Sequence, residues 1–295
     1  MRFYNRAMSV TRTLGVLGGS GLYELEGLSQ VEELRLTTPF GEPSDVLVSG
    51  MLGDTKLIFL PRHGRGHRIP PHRINYRANI LALKMAGAEQ VLSVSAVGSM
   101  KEAIEPGHLV VVDNFIDRTR HRTDTFFDDD GVVAHVSFAE PIDGALAAAL
   151  YGACGRVGAT THRGGVYLCM EGPQFSTRAE SLLYRSWGVD VIGMTNMPEC
   201  RLAREAELPY ATLALATDYD CWHEGHDAVT LEGVLAVMHQ NVALAKRVIV
   251  ELAGALPDPA LSPASTAMAT SIVTDRATIG PDVRKKLAPL VGRYL

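Results

Sequence analysis

Three loops rich in hydrogen-bond donors follow predicted strands in the first hundred residues. Glycine turns direct backbone N–H groups at anions, hydroxyls add donors, and the planar arginine fork matches phosphate oxygens. In open α/β sheets, ligands bind outside the carboxyl ends of the strands. Each loop alone also fits an ordinary turn, but together they predict a site for a free phosphate dianion. The loops are Gly18-Gly19-Ser20-Gly21, Pro61-Arg62-His63-Gly64 and Ser95-Ala96-Val97-Gly98.

A pair of carboxylates follows another predicted strand, at Asp218 and Asp220. Side chains at i and i+2 face the same way on an extended chain, and like charges this close raise each other's pKa. An aspartate with a raised pKa can donate a proton to a leaving group. The alternative is a helix-capping pair in a solvated loop, which the spacing alone does not exclude.

Two further strand ends carry residues suited to a sugar or a base. Glu171 and Phe175 flank one turn, where an acid beside an aromatic ring suits a sugar hydroxyl or a stacked base. Met194 and Thr195 end the next strand with an apolar wall beside a hydroxyl. A structural turn and core packing are the competing interpretations, since Met commonly fills gaps in cores.

Metal and nucleotide motifs are missing from the sequence. The loop at 18–21 is followed by no Gly-Lys-Ser/Thr, and its glycine spacing differs from that of the dinucleotide fingerprint. The four cysteines form no CxxC pair and have no zinc-ligand spacing, so we expect reduced thiols and no metal site.

Composition and charge limit the kinds of binding partner and the cellular compartment that we expect. The net charge of -5 comes without a basic stripe, which argues against nucleic acid. No apolar run approaches the ~18 residues of a membrane span, and the first residues lack an apolar signal core. We therefore expect a cytoplasmic protein.

The elements that must position these loops alternate between strand and helix. This alternation predicts a single α/β domain with a central mixed twisted sheet and helices on both faces. Thr177 and Glu180 have capping-box spacing at a helix start. Strands are predicted at 14–17, 56–60, 90–94, 108–112, 165–170, 189–194 and 210–216, and helices at 73–85, 145–157, 176–187, 198–206 and 230–256.

The predicted domain spans residues 14–256. Residues 1–13 are polar and predict a disordered leader. Residues 257–295 predict a C-terminal extension: a linker rich in Pro, Ala and Ser at 257–265, then a helix at 281–290.

Many separate motifs in order resemble one known family, the 5′-methylthioadenosine phosphorylases of the trimeric purine nucleoside phosphorylase superfamily. The resemblance runs from about residue 14 to residue 252. The motifs include GGSGLYELEGL (18–28), TPFGEPSD (38–45), RHGRGH (62–67), NYRANILALK (75–84), SAVGSM (95–100), FIDRT (115–119), EGPQFSTRAES (171–181), GMTNMPE (193–199) and ATDYDCW (216–222).

The resemblance implies a nucleoside phosphorylase-like fold and a role for each site residue. Phosphate would be bound by Ser20, Arg62, His63, Ser95 and Thr195; family members often carry Thr at positions 20 and 95, and the hydroxyl is kept. Ribose would meet Met194, and the base would lie against Phe175, Ala96 and Ile192. Asp218 would protonate N7 of the purine, and Asp220 would accept from the 6-amino group. The 5′ pocket would be lined by Leu231, Val234, Leu235 and His135 of a neighbouring subunit.

The implied reaction is phosphorolysis of 5′-methylthioadenosine by a pentosyltransferase of purine and methionine salvage. Inorganic phosphate would be the co-substrate, with no metal or organic cofactor. The implied assembly is a homotrimer, or a hexamer as a dimer of trimers.

Several alternatives remain at this point. The stretches at 67–72 and 193–197 resemble relatives that act on methylthioinosine, although those lack the Asp218-Tyr219-Asp220 element. A broader purine nucleoside phosphorylase acting on adenosine or inosine is the main alternative. A hydrolase that uses water and a non-catalytic nucleoside-binding protein are the others, because a fold alone does not fix a function.

Overall fold

The computed structural model describes residues 12–19, 21–22, 24–129, 131–223 and 231–295, with backbone only for 231–236. Within these residues, eleven strands form one mixed sheet and six α-helices surround it. The strands are β1 (Arg12–Gly18), β2 (Ser29–Leu34), β3 (Leu47–Leu52), β4 (Thr55–Pro61), β5 (Gln90–Ser99), β6 (Leu109–Val111), β7 (Asn114–Arg118), β8 (Thr161–Arg163), β9 (Val166–Met170), β10 (Val191–Gly193) and β11 (Tyr210–Asp218). The helices are α1 (Tyr76–Met85), α2 (Gly144–Arg156), α3 (Arg178–Ser186), α4 (Asn196–Glu205), α5 (Leu231–Ala253) and α6 (Pro281–Val291).

The sheet branches at its longest strand, β5. The main path runs β2-β3-β4-β1-β5-β10-β9-β7, and β5 also pairs with β11, which continues to β6 and β8. Strands β4, β1, β5 and β11 are parallel to their neighbours in this set. Their carboxyl ends therefore meet at one edge, where the predicted phosphate loops and the aspartate pair are brought together.

Helices cover both faces of the sheet, as predicted. Successive residues of a strand point to opposite faces, and β11 shows this directly. Leu213 and Leu215 pack into a cluster with α2 and α5. Ala214 and Ala216 belong to the opposite cluster, which contains residues of α1, α4 and α6.

Residues 257–295 pack against this domain. The Ser262 hydroxyl donates to the Asp143 carboxylate at 2.5 Å. The buried Glu207 carboxylate accepts from the Met268 N–H at 3.0 Å and from the Tyr294 hydroxyl at 2.7 Å. α6, which lies where a helix is predicted, places apolar side chains in the same core cluster as α1.

No helix in the described ranges has the length and apolar character that crossing a membrane requires. The same ranges contain no group of three or more His, Cys, Asp or Glu side chains arranged to hold a metal ion.

Candidate active site

A cavity of about 330 Å³ opens at the carboxyl ends of the central strands. It is lined by residues of β5, β9, β10, β11 and α5 and by loops that follow β1, β4, β9, β10 and β11. The predicted site residues that line it are Arg62, His63, Ser95, Ala96, Phe175, Ile192, Met194, Thr195, Asp218 and Asp220.

The other predicted site residues do not line the cavity in the described part of the chain. Ser20 lies outside the described residues, although its neighbour Gly19 lines the cavity. The structure describes only the backbone of Leu231, Val234 and Leu235, which lie in the first turns of α5. His135 is exposed on a separate loop, where its backbone N–H donates to the Ser271 carbonyl at 2.8 Å.

Two hydroxyls from distant parts of the chain meet at one side of the cavity. The prediction of a loop at 95–98 is wrong, because β5 continues to Ser99 and Ser95 lies within it, whereas Thr195 follows the end of β10. The oxygens of Ser95 and Thr195 are 3.1 Å apart, although the residues are 100 positions apart in the sequence. The hydroxyl of Tyr167 lies 3.3 Å from that of Ser95. Burial raises the pKa of Tyr167 to about 12, so it remains a neutral hydroxyl at physiological pH. These groups form a cluster of small donors suited to anion oxygens.

Arg62 lines the same side of the cavity, but most of its guanidinium N–H groups donate to other atoms of the protein. Its guanidinium is 2 % exposed and pairs with Glu199 at 2.6 Å through Nε and 3.0 Å through one terminal nitrogen. It also donates to the Ser93 hydroxyl and to the carbonyls of Leu17 and Val94. Burial opposes the charge, but Glu199 raises the pKa of Arg62 above its ordinary value. Because arginine has five N–H groups, these contacts leave about one for an anion.

Asp218 and Asp220 lie at the other side of the cavity, away from Ser95: Asp218 pairs with Gly98, three residues beyond Ser95 along β5. Burial raises the pKa of each carboxyl. Hydrogen bonds oppose this: Asp218 accepts from the Thr217 hydroxyl at 2.7 Å, and Asp220 accepts from the Ser181 hydroxyl at 2.5 Å. A buried carboxyl with a raised pKa is suited to proton donation, as the sequence predicted, but burial and not mutual repulsion is the main cause.

The prediction that these two carboxyls share one face of an extended chain is wrong. Asp220 has a positive φ of 52° and begins a 3₁₀ turn. Its backbone N–H donates to the Asp218 carboxylate at 2.8 Å. The chain therefore turns after Asp218, and each carboxyl approaches the cavity from its own direction.

Arg122 is a positioning residue that the sequence analysis missed. Its buried guanidinium donates to the carbonyls of Met194 and Met197 at 2.7 Å and to that of Glu171 at 2.6 Å. The Glu171 carboxylate, which the sequence suggested for a sugar hydroxyl, instead accepts from Arg122 Nε at 3.0 Å. Arg122 thus joins two loops that line the cavity. Arg122 lies three residues beyond the FIDRT motif (115–119), so that motif did not identify it.

Met238 and Val242 of α5 were also missed, and both line the cavity. They follow Val234 at intervals of four residues, so the three positions share one face of the helix. Extending that spacing along the helix would have identified them. Phe175 also lines the cavity, although 65% of its surface is exposed.

Comparisons with known proteins identify the family of this chain. Residues 13–254 match the family model described as the phosphorylase superfamily. The chain belongs to this superfamily. It is 53% identical over 285 residues to an S-methyl-5'-thioadenosine phosphorylase of Geobacter sulfurreducens, covering 96% of this chain and 99% of the relative. It is 51% identical to a protein of the same name from Thermosynechococcus vestitus, covering 97% and 100%.

Solved structures of the superfamily share the fold. A methylthioadenosine phosphorylase from an antarctic soil metagenomic library superimposes with a TM-score of 0.90 at 43% identity, covering 95% of this chain and 99% of that one. A Schistosoma mansoni methylthioadenosine phosphorylase in complex with adenine gives a TM-score of 0.79 at 36% identity, covering 83% of this chain and 93% of that one. The family resemblance and the nucleoside phosphorylase-like fold are therefore confirmed.

Proposed function

We propose that this phosphorylase cleaves 5′-methylthioadenosine with inorganic phosphate, releasing adenine and 5-methylthioribose 1-phosphate. One observation carries the proposal: a single cavity has anion donors at one side, from Arg62, Ser95 and Thr195, and a buried carboxyl with a raised pKa, Asp218, at the other. A phosphate and a purine bound at these two sides would have the ribose between them. The relatives' shared name supports the same substrate.

In the proposed reaction, a phosphate oxygen forms a bond to C1′ as the C1′–N9 bond breaks. The bond electrons go to the purine, and the proton of Asp218 moves to N7, so adenine leaves neutral. The ribose ring gains positive charge in the transition state, which the phosphate dianion stabilises. Holding both reactants in place contributes on the order of 7 kcal/mol, and acid catalysis a further factor of about 10²–10⁴. The mechanism needs no metal or organic cofactor.

The remaining lining residues are proposed to bind the nucleoside. Phe175, Ala96 and Ile192 offer apolar contact to the base, and Met194 to the ribose. Asp220 would accept from a 6-amino group. Met238 and Val242 give the helix side of the cavity an apolar wall, which favours a methylthio group over a 5′-hydroxyl. Leu231, Val234 and Leu235 would extend that wall.

The proposal includes a cytoplasmic homotrimer, alone or paired as a hexamer. In this assembly, His135 of a neighbouring subunit would close the 5′ side of the cavity. Its exposed position on a loop away from its own cavity supports that arrangement.

Substrate comparison tests the specificity. The values of kcat/KM for 5′-methylthioadenosine, adenosine and 5′-methylthioinosine, each with phosphate, separate the alternatives. The proposal expects methylthioadenosine to rank first. A higher value for adenosine would indicate a broader purine nucleoside phosphorylase, and a higher value for methylthioinosine would overturn the role of Asp220. Binding without turnover of any of them would indicate a non-catalytic protein.

Replacing Asp220 with Asn should move the preference from a 6-amino to a 6-oxo purine. The carboxylate accepts from an amine, whereas the Asn amide can also donate to a 6-oxo group. We expect the kcat/KM ratio of methylthioadenosine to methylthioinosine to fall by about 10², since buried polar mismatches discriminate strongly. Asp282→Asn, at an exposed carboxyl of α6, is the matched control and should leave the ratio unchanged. An unchanged ratio in Asp220→Asn would contradict the assignment.

A further inference from the structure

His63 lines the cavity with a ring held in one orientation. Its Nδ1 lies 2.9 Å from the Ile69 carbonyl oxygen, and the Ile69 N–H donates back to the His63 carbonyl at 3.0 Å. The ring also stacks on His67, with centroids 4.2 Å apart and planes 20° apart. A carbonyl oxygen only accepts hydrogen bonds, so Nδ1 must carry a hydrogen.

The surroundings of His63 disfavour a second proton on its ring. Burial lowers the pKa of His63 to about 4, and the bond to Ile69 only partly offsets this. The charged and titratable groups that act on it are Arg62, His67 and Arg122, and all three lower the pKa further. Without ligand, His63 is therefore neutral near pH 7 and presents Nε2 as a bare acceptor. Among the described residues, none donates to that atom.

A bare acceptor is the wrong partner for a fully deprotonated anion oxygen. Two lone pairs facing each other repel, and a buried polar atom without a partner costs free energy. Arg62 compensates little, because Glu199 neutralises its charge and the described contacts occupy most of its N–H groups. One proton between Nε2 and the anion oxygen would convert this repulsion into a hydrogen bond.

We propose that the cavity binds its anion together with one proton, shared between Nε2 of His63 and an anion oxygen. The proposal rests on the assignment of this side of the cavity as the phosphate site. It makes His63 a specificity-determining residue: an anion that brings its own proton binds without taking one from solvent. HPO₄²⁻ carries a P–OH group and meets this condition, whereas SO₄²⁻ does not.

The two dianions should therefore differ in the pH dependence of binding. Above neutral pH, phosphate is mostly HPO₄²⁻, and its Kd should be nearly constant. Sulfate must take up a proton at His63, so by linkage its Kd should rise about tenfold per pH unit. Titrations elsewhere in the protein that respond only to the charge of the anion cancel in the ratio of the two Kd values, because both anions carry the same charge.

Calorimetric titration of the intact protein with sodium phosphate and with sodium sulfate, between about pH 7.5 and 9, measures this ratio. Displacement of sulfate by phosphate establishes that both occupy one site. We expect the sulfate-to-phosphate Kd ratio to rise about tenfold per unit in the wild type. In His63→Gln, whose amide donates without titrating, the ratio should be independent of pH. His239→Gln, at an exposed position of α5, is the matched control and should behave as the wild type.

A wild-type ratio constant within about twofold across that range would overturn the proposal. Titrations in buffers of different ionisation enthalpy give a second readout that needs no variant: uptake of one proton with sulfate and none with phosphate. Equal proton uptake for both anions would also overturn it. Tight phosphate binding with either of these results would leave the proposed function standing. Failure of both anions to bind would instead overturn the phosphate site and this proposal together.

Discussion

Asp218→Asn is expected to lower kcat/KM for 5′-methylthioadenosine by about 10²–10⁴, the usual contribution of a general acid. The amide keeps the size of the side chain and its contact with Thr217, but it has no acidic proton for N7 of the leaving purine. The nucleoside should still bind, because the cavity walls are unchanged. The loss should therefore appear mainly in kcat. Steady-state kinetics with saturating phosphate measure both constants.

The pH profile provides the control for this variant. Burial raises the pKa of Asp218, and the acid form, present below that pKa, is the reactive one. Wild-type kcat/KM should therefore decline as the pH rises through the raised value, and Asp218→Asn should lack this decline. Activity within a few-fold of wild type, or an unchanged pH profile, would remove Asp218 from the chemical step.

Arg62→Met is expected to reduce the free energy of unfolding by about 3–5 kcal/mol, the usual cost of leaving one partner of a buried ion pair uncompensated. Both side chains of the Arg62–Glu199 pair are nearly inaccessible to solvent, at 2% and 1%. The Tyr210 hydroxyl also donates to the Glu199 carboxylate at 2.8 Å. Removing the cation leaves that carboxylate with one neutral donor and no opposite charge. Urea unfolding of the purified protein measures the change.

The double variant Arg62→Met/Glu199→Leu separates this cause from loss of packing. Replacing a whole buried ion pair with apolar residues is often nearly neutral for stability. The double variant should therefore recover most of the stability lost in Arg62→Met. A double variant less stable than Arg62→Met would show that packing, and not the unpaired Glu199 charge, determines the loss.

Much of the fold could be predicted from the sequence, because its central strands are apolar and end in glycine or polar loops. The helix at 176–187 is one example: Thr177 and Glu180 form the predicted capping box, and α3 follows it. Strands β2, β3, β7 and β8 were not predicted. β2 is an exposed edge strand with two glutamates, and β8 has three residues, so neither shows a buried pattern. β3 is interrupted by a glycine and β7 is only partly buried, so their strand signals are weak as well.

Most of the residues that line the candidate site could be predicted from the sequence, but Met238 and Val242 were missed, and the charge state of the site could not be predicted. Strand ends indicated Arg62, Ser95 and Asp218 because their loops carry unusual polar residues. The sequence could not show that Arg62 is neutralised by Glu199, which lies 137 residues away. It also could not show that the Ile69 carbonyl fixes the proton of His63. Both depend on the packing of α4 and of the 62–73 segment against the sheet.

Adenine release from 5′-methylthioadenosine by the purified protein, with and without inorganic phosphate, distinguishes phosphorolysis from hydrolysis. We expect release only with phosphate, with one equivalent of 5-methylthioribose 1-phosphate formed for each adenine. Equal release without phosphate, with free 5-methylthioribose as the product, would make the protein a hydrolase and contradict the phosphate site at Arg62, His63, Ser95 and Thr195.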